Sequence, residues 1–392
     1  MPNALPPLDS LRVALVHDWL VTLRGGERVL DALCELFPQA VVHTLVRIPG
    51  VGTPRIEAMR HVSSFADRLP GAHRRHRWLL PLYPAAVELF DLSDFDLVIS
   101  SSHCAAKAAI AGPGAVHVCY CHTPMRYAWD RTADYIRGSH PLLRLAQPAV
   151  QQAAGWLRQW DLATVPRVDA FVANSHNTAS KIKQFYHRPA EVVAPPVECV
   201  RFAGPDPTGQ YDLVLGGLVP YKRVDLALQA YAAMPDKPLV VVGDGPERER
   251  LQRMATANVR FIGRVAEAEL ANWYQGARLF IFAGEEDFGI VPLEAQAAGV
   301  PVVAFGQGGA LESVVADKTG VFFAEPTAQS LVQAVAAAEN LLAAGGLTAE
   351  TCRNHAALFD RPAFLAHMSA AVQRARVLAA QRNHGAQEVR FA

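Results

Sequence analysis

The chain has no uninterrupted apolar span of the roughly 20 residues that crossing a bilayer requires, and its first ten residues carry no basic stretch followed by an apolar core. A transmembrane helix and a secretory leader are therefore not expected, and a cytoplasmic protein is, resting at most peripherally on the inner face of the plasma membrane. Charge of either sign is also not in excess. Lys and Arg number 37 against 37 Asp and Glu, so the formal net charge is zero and a general nucleic-acid binder is not expected. The six cysteines, Cys34, Cys104, Cys119, Cys121, Cys199 and Cys352, include no pair at zinc-ligand spacing with further ligands nearby. They read as buried thiols in a reducing compartment, and neither a metal nor a cofactor is expected. What is present is a 392-residue chain, 51% hydrophobic and 19% charged, long enough for two domains rather than one core.

The first half alternates strand-like and helix-like patterns, the rhythm of an α/β protein with parallel sheets. Residues 12–16 form an apolar run that ends in His17-Asp18-Trp19, followed by Arg24-Gly25-Gly26-Glu27 and a helical pattern through Phe37. The loop is not G-x-G-x-x-G. A double glycine at a helix start admits close approach of a phosphate, and an ordinary turn explains it equally well. Two further buried strands, 96–100 and 116–121, each lead into a histidine-bearing loop, with His103 in the first and His122 and Arg126 in the second. A strand's carboxyl end is where open α/β sheets place ligands. Asn174 and Ser175 suit a helix N-cap.

In the second half, residues 212–216 read as a strand and Gly217-Leu218-Val219-Pro220-Tyr221-Lys222-Arg223 as the loop into a helix. A lysine there adds a point charge to the helix dipole, a suitable arrangement for a diphosphate. Gly243 and Gly245 read first as turn glycines, and Arg264 follows another strand. Residues 277–283 form the next buried strand and lead into the acidic loop Gly284-Glu285-Glu286-Asp287-Phe288-Gly289-Ile290, after which Pro292 and an Ala-rich segment begin a helix carrying Glu294. Phe288, Gly289 and Ile290 would offer backbone N–H groups at that helix start. Taken alone, the two glutamates fit a solvated acidic turn better than a ligand site.

Glu286 and Glu294 with Phe288-Gly289 between them, then Ala298-Gly299-Val300-Pro301-Val302-Val303 and Gly308-Gly309-Ala310-Leu311-Glu312, resemble the donor-binding signature of the retaining glycosyltransferases of family four. The resemblance implies the GT-B fold, two Rossmann-like domains facing a central cleft. It implies that Glu286 lies near the hydroxyls of the transferred sugar, that Glu294 binds the nucleotide's ribose, and that His122 contacts the donor sugar near the reacting carbon. The loop of Gly25, Gly26 and Glu27 would lie near the diphosphate and the acceptor, and His103 and Arg126 on the acceptor side. Lys222 would clamp the diphosphate, with the Gly217 backbone, Arg223 or Arg264 sharing the load or Lys222 bearing most of it alone. The family often carries arginine at the position of Gly217, so here the chain departs from the pattern. The implied chemistry is front-face displacement with retention, the leaving phosphate acting as base, and no D-x-D metal motif is needed.

His17-Asp18-Trp19-Leu20, Arg24-Gly25-Gly26-Glu27, Cys121-His122-Thr123-Pro124-Met125-Arg126-Tyr127 and Val219-Pro220-Tyr221-Lys222-Arg223 further resemble bacterial mannosyltransferases of exopolysaccharide and O-antigen assembly. This implies GDP-mannose as donor and a polyprenyl-diphosphate-linked oligosaccharide as acceptor in surface polysaccharide biosynthesis. Another donor, such as a UDP-sugar, and a non-catalytic sugar-nucleotide-binding subunit, for which Gly217 is the one argument, remain alternatives. The expected domains are 1–200, on the acceptor side, and 211–360, on the nucleotide-sugar side, with a helix over 361–379 crossing back to the first; from Gln381 the chain is expected to fray. Arg74, Arg75, His76 and Arg77 precede Trp78-Leu79-Leu80-Pro81-Leu82-Tyr83. The 73–83 segment fits either a solvated helix end or an interfacial patch for anionic headgroups.

Overall fold

The computed structural model describes residues 5–126, 128–129 and 147–390. The chain divides into two compact units, Met1–Ala194 with Phe364–Ala392, and Pro195–Ala363.

The first unit is built on a seven-stranded sheet in the order β3-β2-β1-β4-β5-β6-β7, with every described pairing parallel. Its strands are β1 (Val13–Leu20), β2 (Val41–Arg47), β3 (Arg60–Ser63), β4 (Leu97–Ser102), β5 (Val116–Cys121), β6 (Ala170–Ala173) and β7 (Ala190–Val192). Every residue of β1 and β4 is buried, because a parallel sheet covered on both faces has no solvent side. Helix α1 (Gly25–Leu36) buries Val29, Leu30, Ala32 and Leu33 against one face. Glu27, in its first turn, accepts the Arg24 backbone N–H at 2.8 Å and so closes the helix start. Of the helix expected over 142–163, residues 142–146 lie outside the described residues, and Gln147–Ala163 is helical as α2. Ser175 caps α3 (His176–Tyr186), its hydroxyl accepting from the Thr178 N–H at 2.9 Å.

The last helix, α4 (Arg361–Arg390), is longer than expected: it runs on past Gln381 instead of fraying there. From Phe364 onward it belongs to the first unit, where Phe364, Met368, Ala371, Val372 and Ala375 form one apolar stripe in the core with Leu15, Leu30 and Tyr120. Polar ties flank the stripe. Arg376 donates to the Pro6 carbonyl at 2.7 Å, and Arg382 pairs with Asp169 at 2.7 Å.

The second unit repeats the architecture with six parallel strands in the order β10-β9-β8-β11-β12-β13. These are β8 (Tyr211–Leu215), β9 (Leu239–Val242), β10 (Val259–Gly263), β11 (Ala277–Phe282), β12 (Val302–Phe305) and β13 (Gly320–Phe323). Two apolar clusters cover its faces, one around Tyr231, Val241 and Val335 and the other around Phe202, Tyr274 and Phe280. The segments that open and close this unit run together. The Val197 N–H donates to the Phe359 carbonyl at 2.9 Å, and Arg361 pairs with Glu198 at 2.5 Å. Five of the six free cysteines are buried and Cys199 is half-buried.

Candidate functional site

Both sheets reverse their strand order once, between β1 and β4 and between β8 and β11. The crevice outside the carboxyl ends of such a strand pair is the favoured ligand position in open α/β sheets. Most of the residues singled out above fall near these two switch points, in two groups that belong to different units.

In the first unit, parallel register sets His17 of β1 directly beside Ser101 of β4. The Ser101 Oγ lies 3.1 Å from His17 Nδ1 and 2.8 Å from His122 Nε2, His122 being the residue after β5. Burial lowers the His122 pKa to about 3, with the charges of His103, His17 and Arg126 acting in the same direction and Asp18 against it. Burial likewise lowers His17 to about 4. Both rings are therefore neutral near pH 7, the state in which an imidazole offers one N–H and one lone pair.

Asp18 is fully buried and accepts four backbone N–H groups, from His103, Cys104, Ala105 and Ala106, at 2.7 to 2.9 Å. The His103 Nδ1 lies 3.0 Å from the same carboxylate. Burial alone would raise the carboxyl pKa, but His103 and these hydrogen bonds outweigh it and hold Asp18 well below its usual value. Trp19 meets His103 edge to face, with ring centroids 4.6 Å apart. Gly26 covers the histidine pair, since a Cβ there would lie 3.7 Å from His122 Nε2 and 3.8 Å from His17 Cε1. Glu27 is buried with its carboxylate turned to the helix start, and burial raises its pKa. His17, Asp18 and Ser101 were not among the expected site residues. The signal for the first two was His-Asp at the end of an apolar run, while Ser101 carried none.

In the second unit, three loops meet at the β8/β11 switch point. A Cβ on Gly284 would lie 2.5 Å from the Tyr221 carbonyl and 2.7 Å from Lys222 Cα, so only glycine lets the acidic loop lie against the Lys222 backbone. The consequence is an ion pair between Lys222 and Glu286, 64 residues apart, with each side chain about one-fifth exposed. The Lys222 Nζ also stands 5.8 Å from the Phe282 ring centroid. Gly308 and Gly309 hold the acidic loop from the other side, where the Gly309 N–H donates to the Glu286 carbonyl at 2.8 Å. Gly289, at φ 91°, is the N-cap of helix α5 (Ile290–Ala297), and Phe288 is buried near Phe359 with ring centroids 5.9 Å apart. Glu294 projects from α5 and accepts from the Tyr274 hydroxyl at 3.2 Å.

The remaining expected residues are less concentrated. Arg223, at φ 51°, directs its Nε to Asp225 at 3.3 Å. Gly217 is exposed, and a Cβ there would meet nothing within 4 Å. Arg264 is exposed after β10, the sheet's edge strand, two strands from β8. Gly243 and Gly245 let two loops touch, because a Cβ on either would fall 1.9 Å from the Gly216 carbonyl oxygen or 2.4 Å from that of Leu218. Arg126 is half-buried. Among the described residues, no group of three or more His, Cys, Asp or Glu side chains has the arrangement of a metal site, and no helix is long and apolar enough to cross a membrane.

Residues 23–201 match the family model described as Glycosyltransferase Family 4, and residues 202–343 that described as Glycosyl transferases group 1. Among curated relatives, a GDP-mannose-dependent monoacylated alpha-(1-6)-phosphatidylinositol monomannoside mannosyltransferase of Corynebacterium glutamicum is 40% identical over 112 residues, 25% of this chain and 29% of its own length. The lipopolysaccharide core biosynthesis mannosyltransferase LpsB of Rhizobium meliloti is 30% identical over 227 residues, 50% of this chain and 63% of its own. The matches thus span less than two thirds of these relatives. Among solved structures, Anabaena Alr3699/HepE in complex with UDP superposes with a TM-score of 0.69 at 16% identity, covering 93% of this chain and 100% of that one. Sucrose-phosphate synthase from Thermosynechococcus elongatus gives 0.69 at 15% identity, covering 93% and 98%. At such identities the likeness is one of fold.

Proposed function

Since the chain belongs to glycosyltransferase family 4 and has the GT-B fold, we propose that it transfers a hexose from a nucleoside-diphosphate sugar to an acceptor hydroxyl with retention at the anomeric carbon. The observation that carries this reading is the meeting of Lys222 and Glu286 at the second sheet's switch point, with Glu294 on the helix that follows. In the proposed reaction the anomeric C–O bond to the diphosphate breaks, the acceptor oxygen bonds to the same carbon, and the acceptor's proton passes to the departing phosphate. Lys222 offsets the charge that develops on the leaving group, the kind of preorganised electrostatics that supplies much of enzymatic rate enhancement. Glu286 holds sugar hydroxyls and Glu294 the ribose. Gly217, Arg223, Arg264 and the backbone N–H groups of Phe288, Gly289 and Ile290 are assigned to the diphosphate, and Gly25 and Gly26 to the donor as well. His122 meets a sugar hydroxyl, while Glu27, His103 and Arg126 serve the acceptor.

The donor we infer is GDP-mannose, supported by the GDP-mannose dependence in the name of the Corynebacterium relative. The acceptor we infer is a lipid-linked glycan of surface polysaccharide assembly, and both relatives named above act on lipid-borne saccharides by their names. A membrane-facing segment fits that acceptor. Arg74, Arg75 and Arg77 are exposed beside Trp78, which is 66% exposed, and Leu82, while Leu79 and Leu80 anchor the segment in the core.

Thermal unfolding with GDP, UDP or ADP tests the donor first, because a ligand that binds only the native state raises Tm by mass action. GDP is expected to stabilise most. Glu294→Ala should abolish the shift, whereas Glu286→Ala should keep it and lose transfer of mannose to a lipid-linked acceptor. Normal turnover by both variants would overturn the assignment.

A further inference from the structure

We infer that His17 and Ser101 are positioning residues that hold His122 as the neutral imidazole protonated on Nδ1, so that its ring meets a ligand as a hydrogen-bond donor. This deepens the reading of His122 as a contact for a sugar hydroxyl and rests on it.

The Ser101 hydroxyl touches two imidazole nitrogens, His17 Nδ1 at 3.1 Å and His122 Nε2 at 2.8 Å. It has one hydrogen to give, so one ring nitrogen accepts from it and the other must donate to it. Two arrangements satisfy that condition, and they assign opposite tautomers to the two rings. If Ser101 donates to His17, then His17 Nδ1 is bare and its proton sits on Nε2. If Ser101 donates to His122, then His17 carries its proton on Nδ1 and His122 Nε2 is bare.

His17 Nε2 decides between them. It is buried without a hydrogen-bond partner, in a side chain from a residue only 1% exposed. Placing a proton there would strand an N–H donor away from water, whereas leaving it bare strands only a lone pair. Orphaned buried N–H groups are the rarer defect in native proteins. The proton therefore sits on His17 Nδ1 and is given to Ser101, Ser101 gives its own to His122 Nε2, and the proton of His122 is left on Nδ1. That nitrogen has no protein partner among the described residues. Both rings are neutral near pH 7 because burial disfavours their charged forms, so the counting holds under working conditions. Gly26 covers the hydroxyl side of the pair. A neutral N–H donor on this ring can bond to a hydroxyl oxygen without adding charge near the reacting carbon.

The test is nitrogen NMR of the whole chain labelled with 15N-histidine, with the His122 signals assigned by their loss in His122→Asn. The expected result near pH 7 is a protonated Nδ1 and a bare Nε2 on His122. Ser101→Ala and His17→Phe, which cut the relay at its middle and at its far end, should each shift His122 toward a mixture of tautomers. A wild-type His122 protonated on Nε2 would overturn the inference even if neither variant folds. So would an unchanged His122 spectrum in both. The readout uses no substrate, so a failure to transfer sugar bears on the proposed function and not on this.

Discussion

At the scale of single residues, the chain keeps several ionisable groups in the state that burial favours, and this makes its stability depend on pH. His17, His43 and His117 have pKa values lowered to about 4 and His122 to about 3, chiefly by burial. Unfolded, each returns to about 6.5, so below that pH the unfolded chain binds more protons than the folded one. Stability from these groups is complete above about 6.5 and falls as pH drops toward 4, by at most about 1.4 kcal/mol per pH unit for each histidine. Asp18, depressed in the fold, adds a loss in the same direction below its unfolded value of 3.8. Urea unfolding of the first unit at about pH 7 and about pH 5 should show a lower midpoint at the lower pH, and His117→Gln should shrink the difference. In the second unit, Lys222→Ala should lower kcat on the order of 100-fold or more, as loss of one stabilising contact to developing charge does elsewhere. Single-turnover rates of the variant would check it. Residue types and loop positions nominated Lys222 and Glu286, but their contact was not legible in spacing. It depends on how closely Gly284 lets one loop lie on another, a property of the backbone in three dimensions.

At the scale of elements, glycines define the second group as much as its charged side chains do. A Cβ on Gly309 would lie 2.2 Å from Phe288 Cα and 2.3 Å from the Phe288 carbonyl oxygen, neither of which can rotate away. Gly309→Ala should therefore displace the acidic loop, cost about 1–3 kcal/mol and weaken the thermal shift with GDP. Gly217 is the opposite case, with open space around its missing side chain. Gly217→Arg should leave Tm unchanged and tighten GDP binding by restoring a cation to the diphosphate side, measurable by titration calorimetry. Farther from the site, Arg278 near the start of the central strand β11 reaches across to the neighbouring strand β8. It forks onto the fully buried Asp212 at 2.6 and 2.9 Å and also pairs with Glu339. Arg278→Met would leave the Asp212 carboxylate without its cation, with the Tyr231 hydroxyl still donating to it, and should destabilise the second unit by about 3–5 kcal/mol, visible as a lower urea midpoint. The strands themselves were readable, since unbroken apolar runs such as Leu239–Val242 and residues 279–282 of β11 are what a doubly covered parallel sheet demands. The triad of His17, Ser101 and His122 was not, because parallel pairing brings together residues 84 and 21 positions apart and the pairing register leaves no mark in either segment alone.

At the scale of the whole chain, the apolar period of Phe364, Met368, Val372 and Ala375 advertised a helix with one buried face, while the expectation that it crosses to the first domain came from the family resemblance and not from the period itself. A face of a helix says that it must be covered and is silent about by what. The fragment 195–363, a continuous stretch with two covered sheet faces, should fold alone with cooperative thermal unfolding. The fragment 1–194 should not, because it lacks five core side chains, and adding 364–392 in trans should restore its near-UV circular dichroism signal.

The late arrival of α4 in the first unit's core also sets an order of events during synthesis. The second unit is one uninterrupted stretch and can close as soon as it clears the ribosome, whereas the first, though made earlier, waits for residues from Phe364 to Ala375 before its interior is filled. For that interval the half that was translated first is the half exposed to chaperones and proteases. A stalled or prematurely terminated chain would thus present a finished second domain tethered to an unfinished one.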